Sequence, residues 1–217
     1  MSETLVFLKP DAVVRRYVGA RTLKIFLDNG IEFKAFRVFK PPKDFIASDH
    51  YGIHKGRFFY PWLIEYVTCG PIVAAIMEGS SVIEKVRTLL GATVPENALP
   101  DTIRGRYGIF GGINVAHASD SKETAIKELN LWNPLFKEEG FKNVDFRIND
   151  YVDNYINWPM IDSLHYRELS KKFATGALNE EEANRNFKNL LFKETDIKEE
   201  IIVSLSKVMV ENCKLGR

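Results

Sequence analysis

The run TLVFL at positions 4–8, closed at once by Lys9-Pro10, constrains this chain more than any other feature. It is too short for an ordinary helix, and its β-branched and aromatic members favour a buried strand. PIVAAIM (71–77) reads as another apolar strand, and IEFKAFRVF (31–39) alternates as a half-buried strand stopped by Pro41-Pro42. Helical stretches separate them. ARTLKIFLDNG carries Leu23, Phe26 and Leu27 on one stripe and ends at Asn29-Gly30. Residues 43–68 predict two helical pieces interrupted around Gly52 to Gly56, and SVIEKVRTLL predicts a helix closed by Gly91. INVAHA (113–118) reads as a last strand, and Asp120 with Glu123 has capping-box spacing for a helix over SKETAIKELNLW. The order β-α-β, helical pair, β-α, long loop, β, α is the split βαβ pattern. It predicts an α/β (α+β) chain with a ferredoxin-like core and an antiparallel sheet.

After Trp132 the pattern changes. FKNVDFRIND (141–150) reads as a short strand. Beyond Pro159 come three helical stretches, two of them opened by capping-box pairs, Asn179 with Glu182 and Asp196 with Glu199. Apolar stripes through Phe187, Leu190 and Leu191, then Ile201, Ile202, Leu205, Val208 and Met209, predict an ordered extension packed on the core or on a neighbouring subunit. The expected division is a main α/β domain at 1–158 and a helical C-terminal extension at 159–217.

Composition narrows the function classes. Of 217 residues 45% are hydrophobic, and the formal net charge is +1. A near-neutral chain offers no bulk electrostatic reason to bind nucleic acid or a membrane. No apolar run is long enough to cross a bilayer, and the opening residues lack a signal-peptide pattern. Cys69 and Cys213 are far apart in sequence, so no disulfide framework is implied and a cytoplasmic setting is expected.

Several chemistries lack their motifs. There is no G-x-x-x-x-G-K-[ST], no G-x-G-x-x-G and no G-x-S-x-G. His50 and His54 have the i, i+4 spacing of zinc ligands, but Gly52 lies between them and no cysteine cluster is near, so no protein metal site is expected. What remains is a cationic and small polar set at element ends and in the long loop at 92–111: Lys9, Arg57, Arg87, Thr93, Arg104, Asn114 and His117. Guanidinium forks match phosphate oxygens, so together these residues suit a polyphosphate.

The same residues carry a resemblance. TLVFLKPDAV, HY at 50–51, GP at 70–71, RTLLGATVP, TIRG and NVAHASDS (114–121) resemble, in order, the blocks of the nucleoside diphosphate kinase family. Its closing pattern reappears as DYVDNYINW (150–158) after an inserted segment. The resemblance implies transfer of a γ-phosphoryl group from a nucleoside triphosphate to a diphosphate through a phosphohistidine at His117. It implies that Glu128 and Ser119 support that ring, that Lys9, Tyr51, Arg57, Arg87, Thr93 and Arg104 hold phosphates, and that Asn114 with Lys9 binds the ribose. Phe59 and Leu63 would clamp the base, which implies broad base tolerance. Mg2+ would ride on the phosphates and water, with no protein ligands. A homo-oligomer is implied, a hexamer before a tetramer.

The chain departs from the family pattern at Ala12, Val94, Arg106, Gly111 and Ala118. Ala118 adjoins the nucleophile and would be strained if its φ were positive. The alternative is an inactive nucleotide-binding or regulatory module of the same fold. Lys9, His117 and Glu128 together favour the enzyme.

Overall fold

The structure is a computed structural model that describes residues 1–215; Gly216 and Arg217, the end of the expected extension, lie outside the described residues. Strands β1 (Ser2–Leu8), β2 (Glu32–Phe39), β3 (Ile72–Gly79) and β4 (Ala116–Ala118) form one antiparallel sheet in the order β2-β3-β1-β4. β3 sits between β1 and β2 and opposes both, as the ferredoxin-like reading requires.

β1 lacks a polar face because both of its faces are covered. Leu5 and Phe7 enter one core cluster, and Val6 and Leu8 enter the other. Helices α2 (Arg16–Asp28), α4 (Val82–Leu90) and α7 (Val144–Tyr155) cover the second face. Helices α3 (Tyr60–Thr68) and α6 (Lys122–Gly140) cover the first. The short α1 (Pro10–Val14) starts with Pro10, whose fixed φ suits a first helical position. The glycine stops behave as expected, with φ of +68° at Gly30 and +79° at Gly91.

Four local expectations are corrected. Residues 141–150 form no strand; they lie in and before α7. Val144, Phe146 and Ile148 mimic strand alternation, but Phe146 is exposed while Ile148, Tyr151 and Val152 are buried at helical spacing. The cap of α6 is Ser121, which accepts from the Thr124 N–H, one residue later than Asp120. Asp196 pairs with Arg16, and the following helix starts only at Glu199. The last strand is also shorter than INVAHA, because the backbone breaks at Val115.

The extension forms α8 (Ser163–Ala174), α9 (Glu180–Leu191) and α10 (Glu199–Leu215). The capping box at Asn179 and Glu182 has both of its hydrogen bonds. Tyr166, Phe187, Ile202 and Met209 enter the same cluster as Phe7, Tyr66 and Trp132. A polar knot lies beneath it, with Arg15 and Glu194 both 0% exposed and their Nε and Oε2 3.2 Å apart. Arg15 also donates to the Tyr107 carbonyl and to Ser163 Oγ, while Glu194 accepts from Tyr166 and from the Ile161 N–H. Burial of such charges is tolerable only with this degree of pairing.

Candidate active site

His117 lies on β4 opposite Phe7 of β1. Just before it, Val115 has φ of +74°, and the Ala116 N–H donates to the Asn114 carbonyl at 2.8 Å. This is a γ-turn with a β-branched centre, a conformation that costs about 1–3 kcal/mol and persists only when its surroundings enforce it. The Lys9 N–H donates to the Val115 carbonyl at 2.8 Å, and the Val115 N–H donates to Asp11 Oδ2 at 3.1 Å. Asp11 is fully buried and also accepts from the Tyr66 hydroxyl. Asp11 thus ties α1 and α3 to the strand that carries His117.

The imidazole of His117 is fixed from behind. Its Nε2 lies 2.9 Å from Glu128 Oε1, and Ser119 donates to Glu128 Oε2 at 2.6 Å. Glu128 reaches the ring because α6 begins at the Ser121 cap and packs against β1, the strand that pairs with β4. The ring stacks on Phe7 at 4.8 Å and meets His50 edge-on at 4.6 Å. His50 accepts the Trp132 indole N–H at Nδ1, and burial, then the neighbouring His117, push its pKa well below the ordinary value. A neutral His50 leaves Glu128 to His117. Ligating atoms of His50, His117 and Glu128 lie within 4.8 Å of one another, but one ring nitrogen of each histidine is already hydrogen-bonded. His54 does not join that group.

The side chain of His117 opens onto a cavity of about 860 Å³. Lys9, Tyr51, Arg87, Thr93, Arg104 and Asn114 line it together with Phe59 and Leu63. Arg57 does not; it stands exposed beside the cavity, so the structure does not bring it to the other expected phosphate ligands. Burial first, then the Arg104 charge, lower the Lys9 pKa to about 7 against the opposing pull of Asp11. Its Nζ donates to Asn114 Oδ1 at 2.7 Å, and Asn114 donates to the Thr93 carbonyl. Burial and the nearby Arg87 lower Arg104 to about 10, so it stays charged at neutral pH while donating to the Asn114, Gly91 and Ala116 carbonyls. Burial raises the Tyr51 pKa above the ordinary value, which keeps its hydroxyl protonated. Among the described residues Lys9, Arg87 and Arg104 gather at the cavity without forming an ion pair, an arrangement that calls for an anion.

The lining carboxylates have other tasks. Glu128 holds His117, Glu96 accepts from the Gly111 N–H at 3.1 Å, and Asp120 stands exposed at the rim. Ala118 lies on β4 without a positive φ, so its methyl group causes no backbone strain. Arg106 is exposed on α5 (Ile103–Tyr107), outside the cavity lining, whereas Val94, 40% exposed, lines the cavity. The sequence reading missed Asp11, the packing role of His50, and the arrival of Asn212 and Leu215 from α10 at the cavity. Asp11 and His50 sit inside matching blocks and could have been found there; the tail residues carry no such signal. A second cavity of about 850 Å³, between α3 and α10, is lined by no histidine or arginine among the described residues.

The profile of the family described as nucleoside diphosphate kinase matches residues 2–140. The nucleoside diphosphate kinase of Rhodococcus opacus (strain B4) is 47% identical over 134 residues, which is 61% of this chain and 95% of that protein. The Clostridium perfringens (strain SM101 / Type A) enzyme is 44% identical over 64% of this chain and 96% of its own length. Among solved structures, the Aquifex aeolicus nucleoside diphosphate kinase superposes with a TM-score of 0.58 at 34% identity, covering 64% of this chain and 98% of that one. A nucleoside diphosphate kinase family protein from Babesia bovis gives 0.59 at 34% identity, covering 68% and 99%.

Proposed function

The chain belongs to the nucleoside diphosphate kinase family, and from that premise we propose which of its residues carry the transfer. It is a phosphotransferase that takes a nucleoside triphosphate and a nucleoside diphosphate in turn, by the ping-pong route general to the family. We assign the nucleophile to His117, acting through Nδ1. The observation that carries this is the Ser119–Glu128–His117 chain, with 2.6 and 2.9 Å contacts, which occupies Nε2 and leaves Nδ1 toward the cavity. A neutral imidazole held this way has a lone pair on Nδ1.

In the first half-reaction Nδ1 forms a bond to the γ-phosphorus as the bond to the β–γ bridging oxygen breaks. The electron pair leaves on the nucleoside diphosphate. Positive charge on the ring grows against Glu128, whose other oxygen is held by Ser119. In the second half-reaction a terminal oxygen of the acceptor diphosphate takes the phosphoryl group, and His117 returns to neutral. Lys9 neutralises charge on the transferring group, Tyr51 donates a hydrogen bond from its hydroxyl to a phosphate oxygen, and Arg87, Thr93 and Arg104 grip phosphates. Asn114 with Lys9 takes the ribose hydroxyls, and Phe59 and Leu63 enclose the base without polar readout, so purines and pyrimidines should both enter. Arg57 would join only if its segment swings inward.

The residues present fit Mg2+ carried on the nucleotide. Among the described residues no pair of uncommitted carboxylates lines the cavity, and Asp120 at the rim would hold an outer water. The ion would supply charge neutralisation on the phosphates. No helix among the described residues is long and apolar enough to cross a membrane; we place the chain in the cytoplasm and expect a homo-oligomer, a hexamer before a tetramer. An inactive binding module would have no use for the support behind His117.

Incubation with γ-labelled ATP should give acid-labile, alkali-stable label on the protein, and His117→Ala should lose it while still binding nucleotide. Undiminished label on that variant would overturn the assignment.

A further inference from the structure

The base end of the cavity is closed by the C-terminal helix. The turn at 110–113 is pinched by a bridge between Phe110 and Ile113, and Phe110, Gly111 and Gly112 all line the cavity. Asn212 of α10 spans this turn. Its Nδ2 donates to the Phe110 carbonyl at 2.8 Å, and its Oδ1 accepts from the Gly112 N–H at 3.1 Å. Asn212 is only 5% exposed, so both halves of its amide are committed to the turn.

The two glycines are cut to fit this contact. Gly111 has φ of +55°, and a Cβ there would lie 3.2 Å from Asn212 Nδ2. A Cβ on Gly112 would stand 2.4 Å from the Trp62 ring. Trp62, also at the cavity, is itself held by α10, since its indole N–H donates to the Val208 carbonyl at 2.9 Å. The departure from the family pattern at Gly111 therefore has a partner in the tail. A branched residue there would be strained and would strike Asn212.

We propose that the end of α10 is a wall of the nucleotide-base subsite, and that Asn212 is the positioning residue that fixes the 110–112 turn against the base. This rests on the reading of the cavity as the nucleotide site. None of Lys9, Tyr51, Arg87, Thr93, Arg104 and His117 shares a hydrogen bond with Asn212, whose amide is bonded to Phe110 and Gly112. Loss of the amide should therefore weaken base contacts and spare the transfer itself.

The test compares ADP and CDP with ribose 5-diphosphate, which keeps sugar and phosphates but lacks a base. For Asn212→Ala, kcat/KM for ADP and CDP should fall about fivefold, mostly through KM, the effect of losing two neutral hydrogen bonds. The value for ribose 5-diphosphate should stay within about twofold. Asn212→Asp keeps the acceptor for the Gly112 N–H but sets an oxygen against the Phe110 carbonyl, and it should show the same base-dependent loss. Thermal midpoints report whether both variants fold. Equal losses on all three substrates, no loss on any, or failure of both variants to fold would overturn the proposal. Wild-type protein that took no label on His117 would instead overturn the reading of the cavity beneath it.

Discussion

Lys9 shows how burial tunes one residue for its ligand. Its pKa of about 7 means that the ligand-free cavity holds it only partly charged at neutral pH, chiefly because burial disfavours the ammonium and Arg104 repels it. Nucleotide phosphates reverse both effects by bringing negative charge. Binding above pH 7 should therefore draw a proton from solvent, approaching about one per nucleotide near pH 8.5. Calorimetry in buffers of different ionisation enthalpy measures that uptake, and its absence would mean that Lys9 is already charged or lies away from the phosphates. The stability of the ligand-free protein should move the other way. Between about 7 and 10.5 the unfolded chain holds the proton that the folded one has lost, so this residue makes the fold more stable as pH rises through that window. Val115 is the opposite kind of residue, because its φ of +74° runs against its own preference and leaves no trace in the sequence.

Elements were legible where local chemistry and tertiary packing agree. β1 was visible because a centrally placed strand is apolar on both faces, and α9 because its capping box forms as the spacing suggests. The helix α7 was not, because three apolar residues at alternate positions outvoted a helical stripe that continues to Val152. The site split the same way. Lys9 and His117 were legible from their blocks and Glu128 only through the family resemblance, whereas contacts from α8 and α10 exist only once the chain folds back. One of these sets the order of the long loop. Arg167 of α8 donates to the Gly105 carbonyl at 2.7 Å and to the Gly108 and Arg104 carbonyls, closing the C-terminal end of α5. Since α5 carries Arg104, Arg167→Ala should speed amide exchange across 103–108 and raise the KM for nucleotides. Charge-assisted hydrogen bonds of this kind contribute about 1.5–3 kcal/mol. Unchanged exchange in that segment would show that α5 holds itself.

At the scale of the molecule, the division at Trp158 describes chain order better than it describes cooperativity. The stretch from 159 onward is too short to bury a sufficient core alone, and its apolar residues complete a cluster that begins at β1. Arg15 makes the dependence sharper. Removing the tail would take away Glu194 and Ser163 and leave a buried guanidinium with the Tyr107 carbonyl as its remaining strong partner. Uncompensated buried charge costs about 3–5 kcal/mol, a large share of the roughly 5–15 kcal/mol that holds a domain folded. Glu194→Ala should reproduce that loss without shortening the chain, because it strips Arg15 of its counter-charge and the Tyr166 hydroxyl of its acceptor. Urea unfolding followed by tryptophan fluorescence, in a background where Trp62 (bonded to α10) and Trp158 are replaced by Phe, reports on Trp132 in the core, and far-ultraviolet circular dichroism reports on all the helices. The two curves should coincide in the parent protein and shift together in the variant. If the variant instead lost helical signal at low urea while Trp132 kept the parent midpoint, the tail would melt alone. The core would then stand without it, and neither the Arg15 knot nor the α10 wall could act on the catalytic half.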